Sequence, residues 1–147
     1  MTQPIATGCG ALGHTGLTQP VLREIATLLK RLDEQGKTDA IDLRSLPMSD
    51  KDRNELETTL GRGEIHANVM VAGDSEVWET FYPGVWWVRH FGANHEIASE
   101  SILITDMPDI LKSDATDIKR AVVRLDADLI ENETGPETTS DGENAHE

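Results

Sequence analysis

The apolar residues change period several times along the chain, and each change marks an element. Val21, Leu22, Ile25, Leu28, Leu29 and Leu32 recur at three- and four-residue spacing, which gathers them on one helical face. Thr18 stands where a cap belongs, Pro20 is tolerated in a first turn and Gly36 is a stop, so the pattern predicts a helix over 19–35. Ile41 and Leu43 suggest a short strand or extended segment over 40–46, closed by Pro47. Ser49 ahead of Asp50 and Asp52 reads as a second helix start, because a helix N-terminus favours both a hydroxyl cap and anions. Leu56 and Leu60 give that helix a narrow apolar edge and Gly61 ends it, which predicts 50–60.

From Glu64 to Ala72 the period drops to two. Ile65, Ala67, Val69 and Val71 face one way, and His66, Asn68 and Met70 the other, as in a half-buried strand. Gly73-Asp74 is a turn. Residues 75–91 are rich in strand formers, interrupted at Pro83-Gly84 by a bulge, bend or turn. After a further turn at Gly92-Ala93-Asn94, Ile97 to Thr105 is the next strand. Ser113 or Asp114 caps a last helix, with Ile118, Ala121, Val122, Leu125 and Leu129 as its apolar face. The fold class expected is α+β: an antiparallel sheet of three to four strands with two or three helices packed on it. The organisation expected is a flexible leader over 1–17, a single α+β domain over 18–131 and a disordered acidic tail over 132–147.

A length of 147 residues fits one such domain. No stretch reaches the ~20 apolar residues of a membrane span, and no basic region precedes an apolar run at the start. A cytoplasmic protein without membrane contact is therefore expected. The formal charge of -14 argues against a nucleic-acid partner, which needs a positive footprint, and favours a basic protein or peptide. Six of the acids lie in 131–147, a stretch with no Lys or Arg.

Three segments in the middle of the chain resemble a known family. They are Ile41-Asp42-Leu43-Arg44-Ser45-Leu46-Pro47, then Leu60-Gly61-Arg62-Gly63-Glu64-Ile65, then Glu79-Thr80-Phe81-Tyr82-Pro83-Gly84-Val85-Trp86-Trp87-Val88-Arg89. Their order and spacing are similar to those of the HupH/HyaF/HoxQ hydrogenase expression family, over residues 18–112. The Pro-Gly-Val-Trp-Trp run is the most unusual part. Family members are usually longer, with two related portions, so a single-domain relative or one half of a larger design is expected. The resemblance implies an accessory role in maturing nickel-iron hydrogenase, with the precursor of its iron-sulfur-bearing small subunit as protein client. The basic twin-arginine leader of that subunit would suit an acidic partner.

Candidate contact residues centre on the aromatic strand. Trp86 and Trp87 are neighbours, so in a regular strand they point to opposite faces. One is expected under the helices and the other on the outer face, where an exposed indole anchors a partner. The alternative is that both are covered, one by the core and one by a dimer mate or a helix. Tyr82, Pro83 and Gly84 would shape the same client-binding surface. Arg89 shares a face with Trp87 and is expected to pair with Glu79 or with a client carboxylate. Arg44 and Arg62 are expected to tie their loops to Asp42 or Glu64.

Chemistry has weaker support. Histidines 14, 66, 90, 95 and 146 lack metal-ligand spacing, although His90 and His95 could meet across a hairpin. Cys9, the one cysteine, sits between two glycines of the leader and reads as an incidental thiol. No nucleophile motif occurs. The reading is a client-binding chaperone-type protein, not an enzyme, requiring no metal or cofactor. The rivals are a small metal-handling or catalytic protein using His, Asp and Glu, and a structural homo-oligomer whose exposed tryptophan fills a homodimer interface.

Overall fold

A computed structural model describes residues 16–70 and 73–135. The expectations for most of the leader, with Cys9 and His14, and for most of the tail, with His146, lie outside the described residues. The first helix, α1, spans Thr18–Gln35 and buries Thr18, Val21, Ile25 and Leu28. Thr18 does not cap it. Leu17 holds the cap position without a side-chain bond, and the Thr18 hydroxyl donates to the Asp52 carbonyl at 3.4 Å. Gly36 closes the helix at φ 65°, where its N–H donates to the Leu32 carbonyl; a residue lacking Cβ takes this left-handed cap without steric penalty.

β1, Asp39–Asp42, leads into a single 3-10 turn at Leu43–Ser45. α2, Asp50–Leu60, starts with a complete capping box. The Ser49 hydroxyl accepts from Asp52 N–H, and the Asp52 carboxylate accepts from Ser49 N–H, so two orphan donors are satisfied at once. Four strands follow: β2 His66–Met70, β3 Asp74–Glu79, β4 Val85–Phe91 and β5 Ile97–Ile104. They form an antiparallel meander, each strand pairing with the next. β1 then joins the free side of β5, with Asp39 opposite Ile104 and Asp42 opposite Ser101. The result is one five-stranded antiparallel sheet in the order β1-β5-β4-β3-β2.

Both faces of this sheet are covered. On one, Trp78, Val85, Trp87, Ile102 and Ile104 pack with Val21, Ile25 and Leu28 of α1 and with Leu56 and Leu60 of α2. Each such fully buried side chain stabilises by about 1.5–3 kcal/mol relative to exposure. On the other, Val77, Trp86 and Val88 form a second cluster with Val69, Leu103 and Leu111. Leu111 closes a short 3-10 turn, Asp109–Leu111, after β5. In the same connection Thr105 offers its carbonyl to the Trp86 indole N–H at 3.0 Å.

The residues after Leu111 are a second compact unit, described by itself. α3, Ala115–Glu133, begins at Asp114, whose carboxylate accepts from Thr116 N–H at 2.7 Å. It runs two residues into the stretch expected to be disordered. None of its residues is buried. The apolar face read from the sequence, Ile118, Val122, Leu125 and Leu129, is exposed along its length.

Candidate functional site

The Glu-Thr-Phe-Tyr-Pro-Gly-Val-Trp-Trp stretch runs from the end of β3 through the connection at 80–84 into β4. Pro83 and Gly84 are the central residues of a tight turn closed by Val85 N–H donating to the Tyr82 carbonyl at 3.0 Å. Gly84 has φ 87°, as the third position of a type II turn requires. A Cβ on Gly84 would lie 3.2 and 3.3 Å from the methyls of Leu29 and Leu32, so the turn rests closely on α1. Thr80, itself buried, locks the other limb. Its hydroxyl accepts from Tyr82 N–H at 3.1 Å and donates to the Tyr82 carbonyl at 3.2 Å. Phe81 N–H donates to the Leu60 carbonyl at 2.9 Å, and its ring lies against the backbone of Gly61. The turn is thus fixed to the ends of two helices, yet Phe81 is 67% and Tyr82 51% exposed, with Pro83 exposed between them and the strand.

Below the turn the aromatic rings close on one another. Trp78 and Trp87, paired across β3 and β4, stack with centroids 5.6 Å apart and planes 8° apart. The Arg62 guanidinium caps the Trp78 ring at 4.0 Å, a cation–π arrangement. Trp78 Nε1 is buried with no hydrogen-bond partner among the described residues. The Trp87 indole N–H donates to Glu100 Oε2 at 3.0 Å, and the same oxygen accepts from Arg89 Nε at 3.0 Å. Arg89 reaches Glu57 of α2 at 2.8 Å and lies 3.7 Å from Glu76. Arg53 approaches the second Glu100 oxygen at 3.7 Å. Burial pulls the Arg89 pKa down, but its hydrogen bonds to Glu57 and Glu100 and their charges outweigh this and hold it above the ordinary arginine value.

These contacts correct several expectations. Trp86 and Trp87 do point to opposite faces, but both are at most 1% exposed, so neither anchors a partner at the surface. Arg89 pairs with Glu100, Glu57 and Glu76, not Glu79, because register places Glu76 opposite Arg89 and Glu79 opposite Trp86. Arg62 meets Glu57, not Glu64. The backbone N–H of Arg44 bonds to Asp42, while its guanidinium donates to the Ile97 carbonyl. Of the six residues expected to contact a client, Tyr82 and Pro83 are exposed and Gly84 half-buried, while Trp86, Trp87 and Arg89 are enclosed or engaged within the fold.

One further pair has no signal in the sequence. Ser75 Oγ lies 2.6 Å from His90 Nδ1, across the register of β3 and β4. The pair borders an open cleft of about 400 Å³ that also involves Val69, Asp74, Phe91 and Ile110. His90 does not meet His95, which occupies the β4–β5 turn at φ 56°. Among the described residues no group of three His, Cys, Asp or Glu is placed to hold a metal ion, and no helix is long and apolar enough to cross a membrane.

Fold and site together define an α+β domain with a two-sided aromatic sheet and a preformed surface turn. The chain belongs to the family described as HupH hydrogenase expression protein, C-terminal conserved region, whose model matches residues 17–131. It is 29% identical over 108 residues to the hydrogenase expression/formation protein HoxQ of Azotobacter vinelandii, covering 72% of this chain and 38% of that one. It is 26% identical over 90 residues to the hydrogenase expression/formation protein HupH of Rhodobacter capsulatus, covering 61% and 33%. The chain thus spans well under half the length of these curated relatives. The solved structure of the hydrogenase expression protein HupH from Thiobacillus denitrificans ATCC 25259 superposes with a TM-score of 0.77 at 34% identity, over 80% of this chain and 98% of that one.

Proposed function

We propose that this chain serves hydrogenase maturation as an accessory protein that binds an immature protein client without catalysis, the nickel-iron hydrogenase small-subunit precursor being the candidate. The observation that supports this most is the Phe81-Tyr82-Pro83 turn. Two aromatic rings and a proline stand exposed on a backbone already fixed by Thr80, Leu60 and Gly84. Aromatic side chains are favoured binding anchors, and a rigid presenting loop loses little entropy on docking. The acidic charge of the chain complements a basic client segment and would speed encounter in a salt-dependent way. Membership in a hydrogenase expression family is the ground for seeking that client among hydrogenase subunits.

Titrating the purified small-subunit precursor into this protein tests the reading. Binding that weakens as salt rises is expected. Removing both rings, Phe81→Ala with Tyr82→Ala, should weaken capture at least tenfold, about 1.4 kcal/mol. The melting temperature should hold, because both rings are largely exposed. A folded double variant that binds the precursor as tightly as the parent would remove the turn from the site. A precursor that does not bind at all would remove the client.

A further inference from the structure

α3 presents a repeating apolar seam that no described residue of its own unit buries. Ala115, Ile118, Val122, Leu125 and Leu129 follow three- and four-residue steps in alternation, the a/d spacing of a two-helix coiled coil. Ile118, Val122, Leu125 and Leu129 are all more than half exposed. A protein helix ordinarily owes most of its stability to burying such a face, and α3 carries one along its 19 residues.

We propose that α3 is a self-association helix, pairing antiparallel with α3 of a second copy so that each Lys119 meets Asp126 of the other. Charge distribution selects this occupant and orientation. Lys119, Arg120 and Arg124 lie in the first half of the helix, and Asp126, Asp128, Glu131 and Glu133 in the second. An antiparallel mate lays the basic half of each copy along the acidic half of the other and opposes the two helix dipoles.

The seam fixes the register. Ile118 falls opposite Leu129 of the second copy and Val122 opposite its Leu125, with the two-fold axis between Val123 and Arg124. In that register the flanking positions bring Lys119 to Asp126 of the second copy twice, once on each side of the axis. The other flank sets Ala121 beside Asp128, with no like charges opposed. A parallel pair would instead place Asp128 against Glu133. Arg120 is already engaged by Asp117 at 3.2 Å, whereas among the described residues Lys119 and Asp126 make no ion pair within the helix. This association uses neither the aromatic turn nor any tryptophan, and does not depend on the function proposed above.

Sedimentation of the full chain over a range of concentrations provides the test. A reversible dimer is expected. Leu125→Glu should leave a monomer at every concentration tried, while its tryptophan-monitored unfolding stays unchanged. Lys119→Glu and Asp126→Lys should each weaken the dimer about tenfold, and the two together should restore it. In a Cys9→Ala background, Ala115→Cys combined with Asn132→Cys should cross-link two copies on oxidation, and neither alone should. A parent chain that stays monomeric, a dimer indifferent to Leu125→Glu, or cross-linking by either single cysteine would each overturn the proposal. A monomer whose α3 is occupied by some other protein counts equally against it.

Discussion

Replacing Glu100 by glutamine should destabilise the domain by about 2–3 kcal/mol, through the charge it removes from beneath the tryptophan stack. The side chain is 3% exposed. One of its oxygens accepts from both the Trp87 indole and Arg89, and the other faces Arg53. Removing one partner of a buried ion pair costs about 3–5 kcal/mol when the remaining charge is left uncompensated. Here Arg89 keeps Glu57 at 2.8 Å, and glutamine retains a carbonyl oxygen that can still accept, so the loss falls at or just below that range. Alanine offers no acceptor and should cost more, about 3–5 kcal/mol. Urea unfolding followed by tryptophan emission measures both, since all three indoles are buried. A double-mutant cycle with Arg89→Met isolates the pair, and a coupling of about 1–3 kcal/mol is expected between directly bonded groups. A Glu100→Gln variant within about 0.5 kcal/mol of the parent, or a coupling near zero, would show that the network is no stronger than a solvated surface pair.

Other substitutions probe separate links in the argument. Trp86→Ala and Trp87→Ala should each cost about 3–5 kcal/mol, since each ring fills a core on its own side of the sheet; a change of under about 1 kcal/mol in either melt would contradict that burial. Gly84→Ala should cost about 1–3 kcal/mol because φ is positive and a Cβ would press on Leu29 and Leu32, and an unchanged midpoint in thermal unfolding would mean the turn relaxes freely. Ser49→Ala should cost about 1 kcal/mol by opening the capping box of α2, read by the same melt; an equally stable variant would show that water replaces the hydroxyl.

The elements themselves were legible because their periods are clean. The spacing from Val21 to Leu32, the Ser49 start and the alternation from His66 to Met70 each found the expected structure. Opposite placement of Trp86 and Trp87 followed from strand geometry alone. Burial of both did not, because the second face is closed by the irregular residues Thr105 to Leu111, which have no period to read. The partners of Arg89 were hidden for another reason. Register across β3 and β4 depends on the turn at Pro83-Gly84, and it sets Glu76 opposite Arg89 and Glu79 three positions along, opposite Trp86. Glu57, meanwhile, looks in sequence like one more acid on a solvated helix face, and only the seating of α2 turns it inward to Arg89.

The placement of β1 also bears on how the chain is made. β2 to β5 zip together through hairpins between neighbours, but β1 must wait for β5, whose pairing residues follow it by about sixty positions. Closing so long a loop adds little to the equilibrium cost, since that cost grows only with the logarithm of length. It governs order instead: pulse-labelled hydrogen exchange should find the amides of residues 39–42 protected last, and protection there ahead of the hairpins would reverse the sequence of events. During synthesis on a ribosome, the earliest strand to emerge is then the last to find its place, and the growing polypeptide holds that raw edge open until almost the whole sheet has been translated.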